Sequence, residues 1–353
     1  MRDIESTIRR WHNAGTGFAL ARVVTTWGSS PRRPGAALVI TADLQVAGSL
    51  SGGCIEAAVI SEAERLLSGK RGPGRLDYGI ENESAWSAGL SCGGKMSVYL
   101  DEPNPDLWDA IINVLELQRP AMLVTRLRND SASHILVDLE KRQPLAHSIE
   151  NRSDLDALVE KSCNLAGGIQ ESTLFKIGND EIFVHLLPRP DELLIIGAAH
   201  IAVHLVSMAR ELGFHTVVID PRRVFATGER FVVAPDELLL DWPASALLGR
   251  RIDQTTYAII LTHDPKIDDQ ALHHLLTTDV SYIGALGSLK THSRRSERLR
   301  KAGFTQAAID RIRGPVGLSI GAVTPSEIAL AILAQVVESK RQEPKTSAIT
   351  LVP

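Results

Sequence analysis

The sequence predicts an α/β protein in two parts: a small mixed α+β N-terminal domain, then a doubly wound domain built on a parallel sheet. Up to residue 187, short apolar runs pair as hairpins around Gly, Asn and Asp. Beyond residue 190, short and wholly apolar runs alternate with helical periodicity, the pattern of buried parallel strands joined by crossover helices. Between them, Pro188-Arg189-Pro190 is the clearest break. The expected division is 1–188, 189–340 and a polar, mobile tail at 341–353.

In the first part, residues 4–11 have helical spacing and 18–25 alternate as a strand. The turn Trp27-Gly28-Ser29-Ser30-Pro31-Arg32-Arg33-Pro34-Gly35 is stiffened by its prolines and reversed at its glycines. Residues 36–41 and 45–50 read as a hairpin that delivers the chain to Gly52-Gly53-Cys54. A helix over 55–67 stops at Gly69, and a strand over 95–100 follows Cys92-Gly93-Gly94. Residues 103–189 carry no catalytic motif and read as the remainder of the first domain plus a connection. Helices near 107–118 and 155–161, strands near 122–126 and 135–139, and a hairpin at 175–187 are expected there.

In the second part, strands are expected at 193–196, 216–219, 257–261 and 281–283, with helices up to 212 and over 268–276. Gly197-Ala198-Ala199-His200-Ile201-Ala202 sits where a Rossmann-like domain carries its dinucleotide turn, with Ala199 replacing the middle glycine. Asp220 follows about 20 residues later, where a carboxylate meets a ribose hydroxyl, and Arg222 could hold a further phosphate. His263, Gly287 and Ser288 follow later strands of the same sheet and should reach the same edge. Loop glycines before a helix N-terminus suit phosphate. Thr324 and Pro325 mark another helix start after the Gly317–Gly321 loop.

Composition excludes several classes. A formal net charge of −4 gives no global field for nucleic acid. No apolar run approaches the ~20 residues that span a bilayer, and the N-terminus lacks a signal core. Three cysteines are too few for a secreted disulfide framework, so the expected location is cytoplasmic. Two of them lie among glycines, in Ser49-Leu50-Ser51-Gly52-Gly53-Cys54 and Ser91-Cys92-Gly93-Gly94. Such turns converge backbone N–H groups into an anion-binding hollow and favour an exposed, acidified thiol. Cys163, in an expected helix, reads as a packing residue.

These segments together resemble the XdhC/CoxI family, the accessory proteins of xanthine dehydrogenase and related molybdenum hydroxylases. The resemblance rests on Gly28 to Gly35, Gly48 to Glu56, Cys92-Gly93-Gly94, Ile196 to Ala202, Asp220-Pro221-Arg222, Thr262-His263-Asp264, Tyr282 to Ser288 and Gly317 to Glu327. The chain departs from the family pattern at Ala199, usually glycine, and at Ser319, usually acidic. Both bear on nucleotide or metal-ion binding in the second domain.

The resemblance implies a chaperone without turnover. It would bind molybdenum cofactor (molybdopterin, with or without a linked nucleotide) and shelter it while its terminal ligand becomes sulfido. It would then deliver it to an apo molybdenum hydroxylase of the xanthine, aldehyde or CO dehydrogenase type. A cysteine desulfurase partner is also implied; a homodimer is expected because a carrier must protect a wide cleft and two-fold dimers are the commonest assembly. Cys54 would be the soft ligand to molybdenum. Gly52, Gly53, Cys92, Gly93, Gly94, Ser30 and Arg32 would surround the cofactor, with Gly197, His200, Asp220, Arg222, His263, Gly287 and Ser288 in the second domain. Other readings are an NAD(P)-dependent oxidoreductase, a redox sensor pairing Cys54 with Cys92, and a zinc site lacking four ligands.

Overall fold

The computed structural model describes residues 1–28, 32–53, 55–79, 94–128, 131–169, 171–178 and 180–342. The chain separates into two compact units between Arg189 and Pro190.

The first unit holds two antiparallel five-stranded sheets. One contains β1 (Phe18–Trp27), β2 (Ala37–Thr41), β3 (Val46–Gly48), β4 (Gly74–Tyr78) and β5 (Lys95–Asp101), in the order β3-β2-β1-β5-β4. Side chains along β1 alternate between faces. Ala19, Ala21 and Val23 share a core with Val59, Ala63 and Leu66 of helix α2 (Glu56–Leu67). Residues of the opposite parity face the other sheet: Leu20 packs with Leu123 and Leu136, and Val24 with Leu127 and Phe183. Helices α1 (Glu5–Asn13) and α3 (Pro105–Glu116) join this inner core through Ile8, Trp11, Trp108 and Ile111.

The second sheet contains β6 (Ala121–Arg128), β7 (Ser131–Asp138), β8 (Gln143–His147), β9 (Thr173–Ile177) and β10 (Asp180–Leu187), in the order β8-β7-β6-β10-β9. Its outer face, Met122, Val124, Ile135 and Val184, is covered by Leu155, Leu158 and Cys163 of α4 (Arg152–Ala166). Residues 103–189, read from the sequence as the remainder of the first domain plus a connection, lie in the first unit. They supply a complete sheet and half of a double-sheet core. Two edge strands, β4 and β8, lie outside the expected set. Edge strands are half-exposed and read as polar, and Pro144 is tolerated in β8 because an edge N–H need not pair.

The second unit is a six-stranded parallel sheet: β11 (Glu192–Ile196), β12 (His215–Ile219), β13 (Glu237–Leu239), β14 (Thr256–Ile260), β15 (Tyr282–Ala285) and β16 (Ile312–Arg313). Their order, β13-β12-β11-β14-β15-β16, is that of a doubly wound fold, with its switch point between β11 and β14. Helices α5 (His200–Glu211) and α10 (Pro325–Gln342) cover one face. Helices α7 (Pro265–Leu275) and α8 (Leu289–Lys301) cover the other, with short α6 (Pro243–Ala246) and α9 (Gln306–Ile309) beside them. Helix α10 runs to Gln342, so the expected tail falls almost wholly outside the described residues.

Candidate functional site

Register brings the strand ends that flank the motif-bearing segments to one end of the first sheet. Trp27, at the end of β1, pairs with Lys95, at the start of β5. Tyr78, at the end of β4, pairs with Met96, and Gly48, at the end of β3, pairs with Leu38 near the start of β2. The strand ends flanking residues 28–36, 49–55 and 79–94 therefore all lie on the same side of the sheet. Cys54, Cys92, Gly93 and Ser30 themselves lie outside the described residues. Gly94 is buried at the approach to β5.

The turn after β3 is built around Glu56. Its Oε1 accepts hydrogen bonds from the Ser49 hydroxyl and from the amides of Leu50, Ser51 and Gly52 at 2.9–3.1 Å. Its Oε2 accepts from the Ser51 hydroxyl at 2.7 Å, and from the Gly53 and Ile55 amides at 2.9 and 3.2 Å. Burial pushes this carboxyl up, but the Ser51 hydroxyl and the surrounding amides outweigh it and hold the carboxyl at about 2. Gly52 and Gly53 adopt φ of +83° and +122°, which lets successive amides converge. The turn does gather amides as an anion hollow, but the anion filling it is the protein's own. This corrects the expectation that Gly52 and Gly53 are open to a ligand phosphate. Arg32 is likewise engaged, with Asp3 at 3.2 Å.

Between the two sheets lies a buried polar chain. Arg22 donates to Asp101 and to Thr125 Oγ1, each at 2.9 Å. His134 lies 3.2 Å from Thr125 Oγ1 through Nδ1 and 3.3 Å from Asp101 through Nε2. Burial, opposed by Arg22, raises the Asp101 carboxyl to about 6. Burial and then Arg22 lower His134 to about 3. A neutral His134 can accept from Thr125 and donate to Asp101, which makes the chain a structural clamp between sheets.

In the second unit, the glycine turn is present but braced from within. Gly197 has φ +112°, and a Cβ there would lie 2.8 Å from Thr262 Cγ2. Asp220 is fully buried; its carboxylate accepts from the Ala198 amide at 2.8 Å and from the Arg222 side chain, twice, at 2.8 Å. Burial pushes its carboxyl up, but these donors hold it below the usual range. It secures the turn and presents no exposed edge to a ribose hydroxyl, contrary to expectation. Arg222 also lies over Phe225, 4.4 Å from the ring centre.

His200 is exposed at the start of α5, and His263 is exposed in the left-handed region at φ +61°. Gly287 has φ +134°, and Ser288 caps α8 by accepting from the Thr291 amide. These residues follow β11, β14 and β15, so they share the C-terminal edge as expected from the sequence. At the opposite edge, Glu192, His215 and Glu237 cluster with ligand atoms within 4.8 Å of one another. Arg250 bonds both carboxylates, at 2.7 and 2.8 Å, so the group is an ion-pair network in which one guanidinium serves two carboxylates.

The model of the XdhC Rossmann domain matches residues 193–336, and that of the XdhC and CoxI family matches residues 11–79. The chain belongs to the XdhC/CoxI family. Among its relatives, a protein of Bacillus subtilis (strain 168) described as a probable xanthine dehydrogenase subunit is 26% identical over 326 residues, covering 92% of this chain and 93% of that protein. The molybdenum cofactor insertion chaperone PaoD of Escherichia coli (strain K12) is 27% identical over 340 residues, covering 95% and 87%. A crystal structure described as a xanthine dehydrogenase from Bacillus halodurans matches with a TM-score of 0.78 and 25% identity, covering 97% of each chain.

Glu56 lies in the family-like motif, but no role for it follows from the motif alone. An acid at the first turn of a helix behind a Gly-Gly-Cys turn is the signal that points to it. The Arg22–Asp101 pair has no sequence signal, because its members are 79 residues apart.

Proposed function

We propose that this XdhC/CoxI protein is an accessory factor for a molybdenum hydroxylase of the xanthine dehydrogenase type. It takes up molybdenum cofactor as cargo, shelters it while a cysteine desulfurase supplies the terminal sulfur, and passes it to the apoenzyme. The observation that carries this reading is that the strand ends flanking three motif-bearing segments lie at one end of the first sheet. Relatives named for cofactor insertion and for xanthine dehydrogenase support the same reading.

Cys54 is the proposed soft contact to molybdenum, and Cys92 is proposed as a second residue facing the cargo. Glu56 gives the turn before Cys54 its shape and takes up the Gly52 and Gly53 amides. Cys163 is a contrast. It is buried on the face of α4 that packs on the second sheet, and burial raises its thiol above the ordinary value, so it serves packing. Among the described residues no helix is long and apolar enough to cross a membrane. A homodimer would shield the cargo.

The test is molybdenum and pterin content after anaerobic purification from cells that make the cofactor. Wild type and Cys163→Ser should carry both; a folded Cys54→Ser should carry little of either. Wild type devoid of both would overturn the reading, and full occupancy in Cys54→Ser would remove the thiolate role.

A further inference from the structure

Two adjoining hollows in the first unit contain none of the residues assigned to the cargo above. One, of about 410 Å³, opens at the end of the first sheet between Trp27, Tyr78 and Lys95. The other, of about 460 Å³, lies between the two sheets and is lined by Arg128, Lys176 and Glu181. Arg75 lines both.

Their chemistry differs. Trp27 is 76% exposed, although it ends a strand whose first seven residues are all buried. A tryptophan held in water by a rigid strand is a ready face for a flat ring, because indole stacks broadly and loses little freedom on binding. Arg75 is fixed by Asp77 and Ser97, each at 2.8 Å, so the shared wall does not need to be ordered by a ligand. On the far side, Lys176 is exposed and makes no ion pair among the described residues. Arg128 lies 3.5 Å from Asp180. An aromatic hollow joined to a cationic one suits a flat heterocycle with an anionic tail.

Resting on the cofactor-carrier reading, we infer that Trp27 stacks on the pterin of the cargo and that Lys176, with Arg128, takes its phosphate. The placement fits the local topology. Trp27 leads directly into the Gly28 segment, and Lys95 lies three residues after Cys92, so the stacking face borders both motif segments. It also resolves the tail's position, because the Gly52 and Gly53 amides are already taken by Glu56.

The experiment titrates isolated molybdopterin, under anaerobic conditions, into wild type, Trp27→Leu, Trp27→Phe and Lys176→Glu. Binding is followed by tryptophan fluorescence and by equilibrium dialysis of the pterin. Both positions are exposed, and far-ultraviolet circular dichroism verifies the folds. Trp27→Leu and Lys176→Glu should each bind about tenfold more weakly. Trp27→Phe should stay within about threefold of wild type, since an aromatic face remains. Tight binding by wild type with equal affinity in Trp27→Leu and Lys176→Glu would overturn this site and leave the carrier reading standing. Absence of binding by wild type would overturn both.

Discussion

Replacing Glu56 tests whether one carboxylate organises the turn before Cys54. Among the described residues, seven donors converge on its two oxygens, four on Oε1 and three on Oε2. In Glu56→Ala, the exposed Gly52 and Gly53 amides can turn to water, and the Ile55 amide keeps the Ser51 hydroxyl at 3.2 Å. The amides of Leu50 and Ser51 have no such recourse, since those residues are 0% and 3% exposed. At about 1–3 kcal/mol for each buried donor left unpaired, the expected loss is about 2–6 kcal/mol. Glu56→Gln keeps one acceptor oxygen for the Oε1 group and gives up the charge. Its cost should be about 1.5–3 kcal/mol, the worth of one charge-assisted bond.

The assay is urea unfolding followed by the fluorescence of Trp11 and Trp108, both buried in the first unit. A Glu56→Ala loss below about 0.5 kcal/mol, the range of an ordinary surface change, would refute the argument. So would a Gln variant less stable than the Ala variant. The carboxyl is held at about 2 in the folded chain, against an ordinary value of 4.5. The charge contribution should therefore be complete above the ordinary value, fall away as the pH drops below it, and be gone by about 2.

Two further outcomes follow from the first unit. Burial and neighbouring positive charge keep His134 and His185 neutral, so unfolding below about pH 6.5 takes up a proton at each and stability drops as pH falls, by roughly 1.4 kcal/mol per unit per histidine. Asp101 opposes this between about 6 and its unfolded value, because there only the folded state keeps its proton. Urea midpoints across this range should show a net acid loss that becomes shallower in His134→Gln, and an unchanged slope would refute the assignment. Gly48→Ala should destabilise well beyond Gly52→Ala: a Cβ at 48 would meet the Ala37 carbonyl oxygen at 2.2 Å, whereas nothing lies within 4 Å of one at 52. Thermal melts that rank the two equally would show that backbone strain, not the close approach, controls both.

Local chemistry makes much of the second unit legible from the sequence. Wholly apolar runs such as Leu193 to Ile196 must be buried on both faces, and with helices between them this fixes a parallel doubly wound sheet. The glycines of the motif turns are legible for a similar reason: the backbone at Gly52, Gly53, Gly197 and Gly287 adopts positive φ, where a side chain is strained. Cys163 reads as packing, and it packs.

Beyond the acid at the start of α2, no local pattern says which groups will satisfy one another. An amide hollow with its anion already supplied looks, residue by residue, like one awaiting a ligand, and only folding puts the Glu56 carboxylate inside it. Asp220 stands at the ribose position, yet tertiary contacts turn it inward to Ala198 and Arg222. Four strands of the second sheet of the first unit are legible, but its edge strand β8 is short and polar, and that the five close into one sheet depends on long-range pairing. What joins the sheets, Arg22 with Asp101 and Thr125, spans 79 and 103 residues of chain. Local preferences act over a few residues, whereas the pairing of buried charges is decided only when distant strands share one low-dielectric interior.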